Sequence, residues 1–259
     1  MKFHCLFEQS GTFKNVFKSY GHEAYDYDIL DEYGQTDYKI DLFAQIIDAY
    51  QIITEYPSFL KDTQEQHKNT GNTISCMYAE NIFFGMKPET DFIIAFFPCT
   101  HFCDTNSLIY RGYNGAHKKV ECGIDRAKML IVRNSARTTY FGLYIKLCAI
   151  CTMLRLPIII ENPASRPANY LEMFSPIDVG FYEKDRSLFG DKFKKPTNFF
   201  VINFEMKEKF YMFFDKVYNT KTIRGKQKGN GVRHETKERS EITPRYADNF
   251  YKRFLQGKV

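Results

Sequence analysis

The hydrophobic pattern is clearest in two short apolar runs that end abruptly at polar residues, Asp91–Cys99 (DFIIAFFPC) and Pro157–Pro163 (PIIIENP). Runs of this length rich in β-branched residues read as buried strands. Lys2–Phe7 reads as a first strand, Glu8–Thr12 as a turn around Gly11, and Phe13, Val16, Phe17 and Tyr20 recur at helical spacing until Gly21 stops the helix. Ala24–Ile29 alternates towards Asp26 and Asp28 as a second strand, and Asp41–Thr54 (DLFAQIIDAYQIIT) forms an amphipathic helix. A strand–helix–strand opening implies a parallel sheet with a right-handed crossover.

Further along, the pattern is interrupted and then resumes. Pro57–Thr90 is polar and irregular, with Asn69–Asn72 (NTGN) as its clearest turn, and reads as an insertion. Thr139–Leu156 predicts a buried helix leading into a Pro157–Glu161 strand, and Asn198–Phe204 a further strand followed by Phe210–Phe214. Thr243–Leu255 predicts a last helix, with Pro244 in its first turn and Tyr246, Phe250 and Phe254 four apart. The expectation is one α/β domain over residues 1–259 with a doubly wound, mostly parallel sheet. A polar insertion at about 57–90 and a basic loop at about 219–239 interrupt it.

Composition narrows the class. The chain is 44% hydrophobic, enough for a large core, yet no apolar run approaches the ~20 residues of a membrane span. No membrane partner is expected. The first residues, MKFHCLFEQSG, hold too short an apolar patch for a signal peptide. The seven cysteines are odd in number and mostly in apolar contexts, which fits a reducing, cytoplasmic setting. The abundant Phe and Tyr, with no Trp, read as compositional bias until particular rings acquire a role. Charge is concentrated: Lys221–Arg239 carries seven basic and two acidic residues, matching the whole chain's net +5. That segment, with Lys226, Lys228 and Arg233 at its centre, suits either a solvated loop or a phosphate-bearing partner.

In open α/β sheets ligands collect at the carboxyl ends of the strands, so the two polar clusters belong to one candidate site. Cys99, after Pro98, offers a nucleophilic thiol, and Glu161 with Asn162 offers a carboxylate and an amide before Pro163. Bland readings stand beside these. Cys99 can be a small buried hydrophobe, Glu161 a turn cap, Asp28 a turn residue, and Asp41 the N-cap of its helix. His101 reads equally as a loop residue or a contact for substrate phosphate or base, and Ser240 or Thr243 as the last helix's N-cap. Cys99, Cys103, Cys148 and Cys151 approach zinc-ligand spacing, but Cys148 and Cys151 fall in an apolar helical pattern, so no metal is expected.

The order FEQSGTF (Phe7–Phe13), the acidic strand end at Asp28, Asp41, FPCT (Phe97–Thr100), ENP (Glu161–Pro163) and RSEITPRYADNF (Arg239–Phe250) resembles the cytosine-specific DNA methyltransferase superfamily. The likeness is to its small phage-type, DNA methylase-like branch. It implies an S-adenosylmethionine-dependent methyltransferase fold and an intracellular protein of a kind phages encode in bacterial hosts. It further implies that Phe7, Ser10, Gly11, Asp28, Asp41, Pro98 and Ser240 surround the cofactor. The Ser10–Gly11 turn would receive the cofactor's carboxylate on backbone amides, Asp28 the ribose hydroxyls and Asp41 the adenine amino group. Cys99 would attack carbon 6 of cytosine while Glu161, with Asn162 beside it, holds the ring at nitrogen 3. DNA, duplex or single-stranded, would be the partner, touched by His101, Lys226, Lys228 and Arg233.

The sequence also departs from that pattern. Glu8 and Gln9 stand where the family commonly has small residues, and Thr100 follows the Cys where Gln is common. No QxRxR-type strand is found. These departures frame the alternatives: a catalytically inactive methyltransferase-like protein serving nucleic-acid binding or a phage-accessory role, or a methyltransferase acting on a nucleotide, RNA or modified base.

Overall fold

The computed structural model describes residues 1–56, 80–102, 110, 112–113, 119–164, 170–208 and 241–259. A seven-stranded sheet forms the centre, in the order β3-β2-β1-β4-β5-β7-β6. The chain begins in the middle, at β1 (Lys2–Leu6), and crosses through α1 (Thr12–Ser19) to a parallel β2 (Glu23–Asp28). The short edge strand β3 (Tyr38–Lys39) follows, and then α2 (Leu42–Glu55). The path returns to the other side of β1 as β4 (Asp91–Ala95), continues through α3 (Gly123–Met153), and reaches β5 (Ile158–Pro163). After a single-turn helix α4 (Tyr170–Phe174) come β6 (Val179–Glu183) and β7 (Thr197–Ile202). β7 is antiparallel to both β5 and β6, so it alone runs against the rest. The last helix, α5 (Pro244–Phe250), runs on into a π-helical turn at Tyr251–Leu255.

Period-two burial explains why both faces of the sheet are covered. Leu6, Ile93, Ile158, Ile160 and Phe200 face α2 and α3, meeting Ile46, Ala49, Leu147 and Cys151. Phe3, Ile94, Ile159 and Phe199 face α1 and the C-terminal helix. This second layer is built from rings: Phe3 stacks on Phe17 at 4.0 Å between centroids, and Phe13 meets Phe96 at 4.9 Å and Phe250 at 5.5 Å. The phenylalanine excess therefore fills a core that contains no Trp. Hydrogen bonds from Tyr20 to Asp248 (2.6 Å) and between His22 and the Tyr251 hydroxyl (2.7 Å) lash α1 to the C-terminal helix.

Two expectations need correction, and two strands went unread. The long helix begins at Gly123, sixteen residues before the predicted Thr139; the apolar residues of its first half, Ile124 and Met129–Val132, do not recur at helical spacing and none is buried. The described end of the polar insertion is not a solvated loop: a 3₁₀ turn, Ile82–Gly85, puts Phe83 and Phe84 into the core. The short strands β3 and β6 lie at the two sheet edges, where half-exposed sequence carries a weak strand signal. Residues 57–79, Cys103, Phe210–Phe214 and Lys221–Arg239 lie outside the described residues. Among the described residues no helix is long and apolar enough to cross a membrane.

Candidate functional site

β1 and β4 are neighbours from which the chain departs in opposite directions, which makes their carboxyl ends the topological switch point of the sheet. A cavity of about 530 Å³ opens there, a size usual for a small-molecule site. Phe7, Ser10, Asp28, Asp41, Pro98, Cys99 and Glu161 all line it, so the structure brings together seven residues from four strand ends and one helix start.

The first loop is shaped by two unusual backbone positions. Phe7, at the end of β1, has φ +59°, a left-handed conformation that costs a bulky residue roughly 1–3 kcal/mol. Its amide donates to the Tyr27 carbonyl at 2.9 Å, and its ring packs on Phe43 and Phe97, which together hold it there. Gly11 is the N-cap of α1 at φ +68°; it stands behind Ser10 and does not line the cavity. Glu8 folds back into this turn. Its Oε1 accepts from the Ser10 hydroxyl at 2.9 Å and from the Phe13 amide at 3.2 Å, while Oε2 is buried with no hydrogen-bond partner. Burial raises the Glu8 pKa, against the lowering effect of those two donors.

Asp28 closes β2 and accepts from the Leu30 amide at 2.8 Å; burial raises its pKa. Asp41 caps α2, accepting from Phe43 N at 2.9 Å and Ala44 N at 3.2 Å, so its capping role is realised at the cavity wall. Behind the loop that follows β2, Lys14 is buried and ion-paired with Asp26 (2.8 Å) and Asp37 (3.1 Å), and it also donates to the Gln35 carbonyl. This knot fixes the chain that brings Ile29, Leu30 and Tyr33 to the cavity. Tyr33 then donates to Glu241 at 2.9 Å, so the C-terminal segment forms part of the rim directly after Ser240. Ser240, Lys226, Lys228 and Arg233 themselves lie outside the described residues.

At the other end Cys99 and Glu161 come from the adjacent strands β4 and β5. Glu161 accepts from Arg186 at 3.1 Å, with Lys195 Nζ 3.8 Å away, and Arg186 is fully buried against Asp191 at 2.6 Å and the Tyr246 ring. Asn162, one residue on, is not among the cavity residues. Its side chain is buried, with Nδ2 3.5 Å from the Phe97 carbonyl, which ties the end of β5 to the segment carrying Cys99. His101 also lies beyond the cavity wall, hydrogen-bonded to Tyr110 at 2.8 Å and packed on Tyr140, which does line it.

Sequence reasoning did not single out Tyr140, Lys195, Glu241 or Arg186. They reach the site from segments far apart in the chain, and only the fold assembles them. Among the described lining residues are five carboxylates (Glu8, Asp28, Asp41, Glu161, Glu241) against one lysine, so the cavity suits a cationic, donor-rich ligand and repels a polyphosphate. No group of three or more metal-ligating side chains is gathered among the described residues. Compared with known proteins, the chain matches no family model and no curated protein. What fold and site define is an α/β protein with a mostly parallel, Rossmann-like sheet and an acidic small-ligand cavity at its switch point.

Proposed function

We propose that the protein transfers a methyl group from S-adenosylmethionine to carbon 5 of cytosine in DNA. The observation that carries this reading is the placement of Cys99 and Glu161, on adjacent strand ends, in one strongly acidic cavity. S-adenosylmethionine would supply an electrophilic methyl group on a sulfonium cation, a charge suited to these walls. Asp28 would accept the ribose hydroxyls, and Asp41 the adenine amino group. Phe7 and Pro98 offer apolar contact. The amino-acid end meets a different arrangement from the one the resemblance implies, because Glu8 already occupies the Phe13 amide at the start of α1. Glu8 favours an ammonium there rather than a carboxylate.

In this reading Cys99, as thiolate, adds to carbon 6 of the extruded base, and Glu161, held by Arg186, positions the ring at nitrogen 3. The electron pair gathered at carbon 5 would take the methyl group as the sulfonium–methyl bond breaks, its electrons staying on sulfur to leave a neutral thioether. Loss of the carbon 5 proton to water would then expel the thiolate and restore the ring. A calorimetric titration of S-adenosylmethionine with Asp28→Ala alongside, and radiolabelled methyl transfer to DNA with Cys99→Ala, test it. Micromolar binding weakened by the first variant, and transfer abolished by the second with cofactor affinity within a few-fold, are the expected results. Transfer retained by Cys99→Ala sinks the covalent mechanism. The carboxylate of Glu8 at the helix start favours a second reading, an inactive nucleic-acid-binding relative, and absent cofactor binding by the folded protein would select it.

A further inference from the structure

The cavity is acidic, whereas the helix that leads away from it is basic. α3 has two unlike halves. From Leu143 onward it is embedded in the core, but none of the residues from Gly123 to Thr139 is buried. That half carries Arg126, Lys128, Arg133 and Arg137 against a single acid, Asp125, and no ion pair of the four cations is found among the described residues. Arg126, Leu130, Arg133, Arg137 and Tyr140 follow one another in steps of four and three, so they share one face of the helix. From Arg126 to Arg137 this ridge extends ~16 Å.

The ridge leads to the site. Tyr140 lines the cavity, and His101, two residues after Cys99, packs on it. Arg137 lies over the ring of Tyr110, 3.3 Å from its centroid, and Tyr110 in turn is hydrogen-bonded to His101. The imidazole of His101 is kept below its ordinary pKa first by burial and then by the positive field of Arg137 and Arg133, so the field of the ridge reaches the Cys99 segment. Arg126 and Arg133, which have no ion pair among the described residues, remain on that face for an external anion.

We infer that the basic first half of α3 is a polyanion-binding ridge that takes the sugar-phosphate backbone of a nucleic acid and leads it to the Cys99 end of the cavity. The two fields divide the labour: the acidic walls reject phosphate from the ligand pocket, and guanidiniums with no ion pair among the described residues, on one face beside it, receive phosphate. This deepens the DNA-acceptor reading, on which the choice of probe rests. The ridge is a different stretch of the sequence from Lys221–Arg239.

The test is fluorescence anisotropy of a labelled DNA oligonucleotide, single-stranded and as a duplex, between about 50 and 200 mM salt. The protein is compared with a variant carrying Arg126→Gln and Arg133→Gln, both half-buried helix positions, and far-UV circular dichroism checks the variant's fold. Expected are salt-dependent binding, at least tenfold weaker in the variant, and a slope of log affinity against log salt reduced by about one to two. Equal affinity and slope in the two proteins would overturn the inference, as would no DNA binding by the parent. So would loss of binding on substituting the apolar positions Ile124→Gln and Ile131→Gln instead, or binding to anionic phospholipid vesicles but not to DNA. S-adenosylmethionine calorimetry reads separately: ridge-dependent DNA binding without cofactor binding would end the methyl-transfer reading and leave this one standing.

Discussion

Glu8 Oε1 accepts a hydrogen bond from the Phe13 amide at 3.2 Å, which places an internal carboxylate on the N-terminus of α1. A helix start at the end of the first strand is ordinarily where an external anion is received. Here the chain supplies its own. The arrangement occupies the helix start from within and shifts ligand recognition from anion capture to cation and donor capture, in keeping with the other four carboxylates around the cavity.

Glu8→Gln therefore changes the pH dependence of stability in a defined direction. Burial raises the pKa of Glu8 in the folded chain, so the native state holds this proton to higher pH than the unfolded state does, whose value is near ~4.3. Its stabilising share is complete below the unfolded value and is lost as pH rises towards the folded one. Gln has no such titration. Thermal melts of the two proteins at several pH values between about 4 and 7 are expected to show Glu8→Gln gaining relative to the parent as pH rises. A constant difference in Tm would refute the assignment.

Thiol labelling should follow burial. Cys5, Cys148 and Cys151 are buried, and burial pushes their pKa values up, that of Cys148 to about 12. Cys99 is half-buried at the cavity and Cys122 is exposed. Limited iodoacetamide treatment of the native protein, read by peptide mass spectrometry, is expected to modify Cys122 and Cys99 well before the other three. S-adenosylmethionine should protect Cys99 and not Cys122 if it occupies the proposed site. Early labelling of Cys148 or Cys151 would contradict the packing of α3.

How much of this was legible in the sequence follows from what each residue buries. β1, β4, β5, α1 and α2 were readable because each buries a complete period of apolar side chains, and β2 from its alternation. The first half of α3 was not, since its apolar residues Met129–Val132 stand in a row rather than at helical spacing and none is buried. The strand-end residues Asp28, Cys99 and Glu161 stood out as polar stops on apolar runs. Arg186 and Lys195 gave no such mark, because their meaning depends on β7 returning beside β5. Lys14 was not legible either: its burial is answered by Asp26 and Asp37, which only the pairing of β1 with β2 brings to it.

Lys14→Met tests that knot. The substitution leaves Asp26, which is fully buried, without its cation, and removes the donor that holds the Gln35 carbonyl. A loss of about 3–5 kcal/mol in denaturant unfolding is expected, since the remaining charge is uncompensated. Adding Asp26→Asn should recover part of it. Ligand affinity should fall as well, because the loop between β2 and β3 carries Leu30 and Tyr33 to the cavity. Unchanged stability in Lys14→Met would show that the pair is not buried in solution.

Arg186 makes the strongest demand on the design of the site. Its guanidinium lies between Glu161 and Asp191 and under the Tyr246 ring, with the side chain fully buried. Arg186→Met matches its length and apolar stem but leaves two buried carboxylates facing each other's field, so a loss of about 3–5 kcal/mol is expected in urea unfolding. Arg186→Lys keeps the charge yet cannot span both partners, and should lose less. The two variants also separate positioning from folding. In Arg186→Lys, which should stay folded at room temperature, S-adenosylmethionine affinity is expected to change little, because Asp28 and Asp41 lie at the other end of the cavity. Methyl transfer should fall by at least tenfold, because Glu161 has lost the planar donor that aims it. Equal losses in cofactor affinity and transfer would mean that Arg186 supports the fold alone and that Glu161 is not held for catalysis.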